Sequence, residues 1–143
     1  MVRRVLLSQI GAVDAVYPMR CSEGVESYQL KVSALEYFDL VHLGVGPDGH
    51  TASIFPDSPA DSFDPGVLVA ENRDPHNKNP HERMTLTFAG IQKAKNVVFT
   101  IAGQSKIPVV KRLANGELMP ATKVRAENIT WLICRNALPD QAD

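Results

Sequence analysis

Hydrophobic positions along this chain change period several times, and each change marks an expected element. Val2, Val5, Leu6 and Ile10 recur at helical spacing and Gly11 follows as a stop, so a first helix is expected there. After Ser22, a second helix should carry Val25, Tyr28, Val32 and Leu35 inward. "YFDLVHLGV" (37–45) is a continuous apolar run, the kind of strand buried on both faces in a parallel sheet. "FPDSPADSFDPG" (55–66) holds three prolines and three aspartates and reads as loop. Two short β-rich runs, "GVLVAE" (66–71) and "RMTLTF" (83–88), flank the polar loop "NRDPHNKNPHE" (72–82). "AGIQKA" is helical in pattern, and "NVVFTIAG" (96–103) is a further buried strand. "SKIPVVKRLAN" (105–115) is an amphipathic helix ending near Gly116, with Pro108 tolerable in its first turn. "NITWLIC" (128–134) is the closing strand. Strands alternate with helices, so the expected class is α/β: a partly parallel, Rossmann-like open sheet flanked by helices, in a single domain over 1–143.

Composition narrows the function classes. The 143 residues are 44% hydrophobic and 22% charged, the balance of a globular domain. Fifteen basic residues against sixteen acidic ones form no long basic stripe, so neither a nucleic-acid nor a membrane partner is expected. Lys93, Lys95, Lys106, Lys111, Arg112, Lys123 and Arg125 make the C-terminal half locally basic, which reads as a solvated face holding one or two site residues. Cys21 and Cys134 lie far apart and outside any C-x-x-C pattern, which argues against a disulfide scaffold or zinc site and for a reducing, cytoplasmic setting. "MVRRVLLSQI" begins like a signal peptide, but its apolar run is short and no small-residue cleavage site follows. Other apolar runs fall well short of the roughly 20 residues a bilayer span needs.

The chemistry concentrates in "LGVGPDGHTASIF" (43–55). Gly44, Gly46 and Gly49 spell G-x-G-x-x-G after an apolar strand, which poses the question of a dinucleotide-binding turn. That fold needs a long helix opening at the third glycine, then a second strand ending in an acidic residue. Here Pro56 limits any helix to about two turns, and Glu71, the only candidate acid, follows a proline-rich loop. The better expectation is a strand end, a glycine turn and a helix N-terminus carrying Asp48, His50 and Thr51. Ligands in open α/β sheets sit beyond the carboxyl ends of the strands, and glycines let a ligand approach the main chain. An imidazole there can take a proton from water near neutral pH, with Asp48 close enough to orient it. Capping or packing of the turn by His50 is the plain alternative.

These residues carry a family resemblance. "FDLVHLGVGPDGHTASIFPDSP" resembles the signature of the 6-phosphogluconolactonases, and "ERMTLT", "IAGQSK", "MPAT" and "WLI" follow in that family's order. Glucosamine-6-phosphate deaminases share D-G-H but continue differently, and "TASIFP" favours the lactonase branch. The resemblance implies hydrolysis of 6-phospho-D-glucono-1,5-lactone to 6-phosphogluconate in the oxidative pentose phosphate pathway, without metal or organic cofactor. It implies His50 as general base, Lys106 as a contact to the substrate phosphate, and a family arginine at Arg83. Arg83 could equally be a strand-start arginine paired with a carboxylate, and Lys106 a solvated lysine on a first helical turn. Catalytic candidates are therefore His50 and Asp48; substrate-binding candidates are Gly44, Gly46, Gly49, Lys106 and Arg83. His42 is expected as a hydrogen-bonded core histidine, His76 and His81 as surface residues, Trp131 as core or rim packing, and Thr51 and Ser53 as cap and packing.

The match begins in the middle of the family's pattern. No S-G-G run and no D-E-R occur in the 143 residues, and Cys134 stands where the family usually has Asp. The expectation is a chain without the family's N-terminal half. Half a parallel sheet exposes an edge, so self-association or a partner chain at that edge, and little activity of the chain alone, are expected. A non-catalytic remnant or binding module is the alternative function.

Overall fold

The computed structural model describes residues 5, 7–11, 13–58, 64–78 and 81–139. Val2 and Leu6, half of the apolar face expected for the first helix, lie outside the described residues. Helix α1 spans Glu26–Ala34, and strand β1 spans Phe38–Gly44. Strands β2 (Val69–Asn72) and β3 (Arg83–Leu86) precede the short helix α2 (Phe88–Gln92). Then come β4 (Ala94–Ile101), α3 (Ile107–Ala114), α4 (Pro120–Lys123) and β5 (Asn128–Ile133).

Three of these strands form a parallel sheet in the order β1-β4-β5, with Leu40 beside Asn96, His42 beside Val98, and Thr100 beside Leu132. The parallel pairing expected of the runs 37–45, 96–103 and 128–134 is therefore present. β2 and β3 pair antiparallel as a separate ribbon, Asn72 opposite Arg83. The apolar runs become strands because β-branched and aromatic residues pack well on a pleated surface. Val41, Leu43, Val97, Phe99 and Ile101 point to one face and join Ile91, Val109, Val110, Met119 and Val124 in the main core. Trp131 stacks on Phe99 with ring centroids 4.0 Å apart, fixing β5 against β4. A smaller cluster seats Val32 of α1 on Val69 and Met84, with Val25 and Tyr28 at its edge.

Three expectations need correction. β1 is buried on one face only: Leu40 is 55% exposed, and Leu132 on β5 is 53% exposed. His42 follows the same alternation, so it is an exposed residue, bonded through Nε2 to the Thr100 hydroxyl at 2.7 Å, and not a core histidine. Leu35 caps α1 and stays 43% exposed instead of turning inward. The two cysteines are unpaired, Cys21 half-buried and Cys134 exposed just after β5. No helix among the described residues is long and apolar enough to cross a membrane.

Candidate functional site

The loop after β1 is held at nearly every carbonyl. Thr51 Oγ1 donates to Gly44 O at 2.9 Å, and Lys106 Nζ donates to Val45 O at 2.7 Å. The Gly49 amide donates to Gly46 O, Arg112 Nη1 to Pro47 O, the Ala121 amide to Gly49 O, and the Gly46 amide to His50 O. The "MPAT" segment thereby docks on the glycine turn. Gly49 has φ of +88°, and a Cβ there would lie 2.7 Å from Met119, so only glycine meets both the backbone and the packing demand.

The helix expected to begin near Gly49 does not form. Residues 51–58 run as turns, with an isolated bridge from Thr51 to Ile54 and Ala52 at φ of +50°. The β2–β3 ribbon imposes this path. The Ser53 amide donates to Thr85 Oγ1 at 3.0 Å, and Asn72 Nδ2 donates to Ser53 O at 2.7 Å. Ile54 and Phe55 are fully buried behind the turn, and the Phe55 ring lies 4.9 Å from the His50 ring. Thr51 and Ser53 are buried, in keeping with cap and packing roles.

At the centre, His50 Nδ1 meets Asp48 Oδ1 at 2.6 Å, and the His50 amide also donates to that oxygen at 3.2 Å. An ionised carboxylate only accepts, so the proton sits on Nδ1 and Nε2 keeps its lone pair. Burial pushes the Asp48 carboxyl up, but the bonds from the His50 amide and ring, with the positive charge the ring carries whenever it is protonated, outweigh it and hold the carboxyl below the ordinary carboxylate value. The two side chains are only 23% and 21% exposed, dry enough for the bond to persist yet open to a ligand. A Cβ on Gly46 would fall 2.1 Å from His50 Nδ1, so the ring rests on the bare α-carbon of that glycine.

Two openings share His50 and Pro47. One, of about 330 Å³, brings His42, Gly44, Gly46, His50, Ala52 and Lys106 together. The other, of about 620 Å³, is lined by Asp48, His50, Pro56, His76, Lys78 and Arg112. Of the candidates read from the sequence, Asp48, His50, Gly44, Gly46 and Lys106 converge here, with Gly49 as the hinge beneath. Arg83 starts β3 opposite Asn72 and lines neither opening. Lys106 stands on the 3-10 turn Gln104–Lys106 that leads into α3, so its backbone position matches the expectation. The exposed side chain of His76, read as a surface residue, does reach the rim, where Nε2 lies 3.5 Å from Asp57. Arg112 was legible only as one cation of a solvated face; its contact with Pro47 spans 65 positions and leaves no local sequence signal. A larger groove of about 670 Å³, lined by Val110, Leu113, Ile129, Trp131 and Ile133, holds no histidine or carboxylate among the described residues. Among the described residues no group of three or more His, Cys, Asp or Glu side chains converges on a metal position.

A parallel sheet that presents an Asp–His pair and a lysine beyond the carboxyl ends of its strands defines the layout of an α/β enzyme fold. The chain belongs to the glucosamine-6-phosphate isomerase/6-phosphogluconolactonase family, whose model matches residues 1–132. It is 47% identical over 105 residues to a probable 6-phosphogluconolactonase of Drosophila melanogaster, covering 73% of this chain and 42% of that protein. It is 32% identical over 156 aligned positions to the 6-phosphogluconolactonase of Mycobacterium tuberculosis, covering 94% of this chain and 62% of that one. The crystal structure of 6-phosphogluconolactonase from Thermotoga maritima superposes with a TM-score of 0.72 at 30% identity, covering 92% of this chain and 62% of that chain. The chain spans about half the length of the curated relatives it matches.

Proposed function

We propose that this chain carries the hydrolytic centre for a sugar-phosphate lactone, with 6-phospho-D-glucono-1,5-lactone as substrate and 6-phosphogluconate as product. The carrying observation is the Asp48–His50 pair at 2.6 Å, facing an opening that also holds Lys106. In this reading Nε2 of His50 takes a proton from a water as its oxygen bonds to the lactone C1. The bond from C1 to the ring oxygen then breaks, and the same imidazole returns the proton to that oxygen. Asp48 keeps the reactive tautomer and stabilises the transient imidazolium. Lys106 exchanges the Val45 carbonyl for a phosphate oxygen, and Gly44 leaves the main chain open to the substrate. A lactone carbonyl is reactive enough that these groups need no metal or organic cofactor. The activity belongs to the oxidative pentose phosphate pathway, and the unpaired Cys21 and Cys134 support a reducing, cytoplasmic setting.

The test is lactone hydrolysis followed by proton release against the spontaneous background. His50→Ala should lower the catalysed rate by about 10²–10⁴ while costing only about 1 kcal/mol of folding stability, the worth of the bond to Asp48. Full activity in that variant removes His50 from the mechanism. A binding role is the second reading, favoured by Leu40 and Leu132 standing 55% and 53% exposed on one face of the sheet and by the outer edge of β1, which no strand among the described residues pairs. That surface suits a partner chain or a second copy. No saturable turnover, together with a persistent complex in solution, favours the second reading over the first.

A further inference from the structure

Arg112 lies near the end of α3, well away in sequence from the glycine loop, yet it is the residue that holds Pro47. Its Nε is 2.9 Å from each carboxylate oxygen of Glu117, Nη2 also bonds Glu117, and Nη1 reaches Pro47 O at 3.3 Å. The Glu117 amide in turn donates to the Arg112 carbonyl at 3.0 Å, so the partner that orients the guanidinium is tied to the same helix end. A planar guanidinium gripped on one side by a carboxylate presents its remaining donor in one direction. The Pro47 carbonyl belongs to the peptide plane that carries the Asp48 nitrogen. Holding that oxygen fixes the plane from which the Asp48 side chain departs, and Asp48 in turn fixes the tautomer of His50. Lys106 grips the carbonyl of Val45, two residues before Pro47, from the other end of α3.

We infer that Arg112, oriented by Glu117, is a positioning residue for the Asp48–His50 pair. For its catalytic consequence this rests on the hydrolytic reading above; its structural consequence does not. Ring ¹⁵N spectra of His50 in the full chain measure the tautomer directly, and steady-state lactone hydrolysis measures the consequence. In the wild type the proton should reside on Nδ1. In Arg112→Ala the population protonated on Nε2 should rise, and kcat should fall by up to about 10²-fold with KM nearly unchanged, as a misaimed base predicts. Arg112→Lys, which can still reach Pro47 O but cannot form the fork with Glu117, should restore part of both. An unchanged His50 spectrum in folded Arg112→Ala overturns the inference. If Arg112→Ala does not fold, Glu117→Ala frees the guanidinium without altering α3. A shift toward Nε2 protonation in that variant supports the inference, and an unchanged spectrum overturns it. A wild-type chain that hydrolyses no lactone removes the hydrolytic reading, while the spectra still decide the positioning.

Discussion

Replacing Gly46 by alanine tests whether the Asp48–His50 pair depends on the missing side chain beneath it. A Cβ at Gly46 would lie 2.1 Å from His50 Nδ1, 2.2 Å from Cε1 and 2.6 Å from Asp48 Oδ1. To restore an ordinary contact of 3.4 Å the ring must recede by about 1.3 Å, the difference from the closest approach. Phe55 lies behind the ring and is buried, so the motion cannot be absorbed freely. Overpacking of this kind costs about 1–3 kcal/mol, and losing the Asp48–His50 bond adds about 1 kcal/mol. Together about 2–4 kcal/mol, this lowers Tm by roughly 4–16 °C for a chain of this size. Displacement of a base by about 1 Å also costs about 10²-fold in rate. Gly44→Ala is the matched control, because nothing lies within 4 Å of a Cβ placed there. It should leave Tm and the His50 ring signals unchanged, so a loss of turnover in Gly44→Ala reports substrate approach alone. Thermal denaturation and ring NMR of both variants decide the matter. A Gly46→Ala protein with wild-type Tm and an intact Nδ1 proton signal would refute the reasoning.

Three further outcomes are expected. The Asp48 carboxyl is lowered in the fold, so its contribution to stability is present above about pH 4 and disappears as pH falls through the lowered value. Asp48→Asn should cost about 1 kcal/mol near neutral pH and progressively less in acid, as read by denaturation midpoints across that range; a gap independent of pH would contradict the assignment. Lys106→Ala should raise KM more than it lowers kcat, and Lys106→Arg should be milder, with sulfate competing against substrate; a sulfate-soaked crystal with the anion bound away from Lys106 would count against it. Leu132→Glu together with Leu40→Glu should reduce self-association in sedimentation without unfolding the chain, since both side chains are more than half exposed; unchanged mass would place the contact elsewhere.

Much of this protein was written locally. The three parallel strands are continuous or alternating apolar runs, and such runs pair wherever a shared core face exists, so β1, β4 and β5 could be read from residues 37–45, 96–103 and 128–134. The Asp48–His50 bond was equally legible, because it joins side chains only two positions apart across a glycine. What tertiary structure decided was everything set by partners distant in sequence. The residues after Gly49 had helix-compatible spacing, yet Asn72 and Thr85 reach in from the β2–β3 ribbon and hold 51–58 as turns. Lys106 and Arg112 meet the loop across 61 and 65 positions, so the basic face expected to hold one or two site residues contributes two grips on the site, of which only Lys106 was singled out in the sequence. Leu40, His42 and Leu132 sit in strands whose composition suggests burial, but a three-stranded sheet in this arrangement covers only one of its faces. Periodicity records which side chains share a face, whereas whether that face meets a core, a ligand or water depends on what the rest of the chain brings against it.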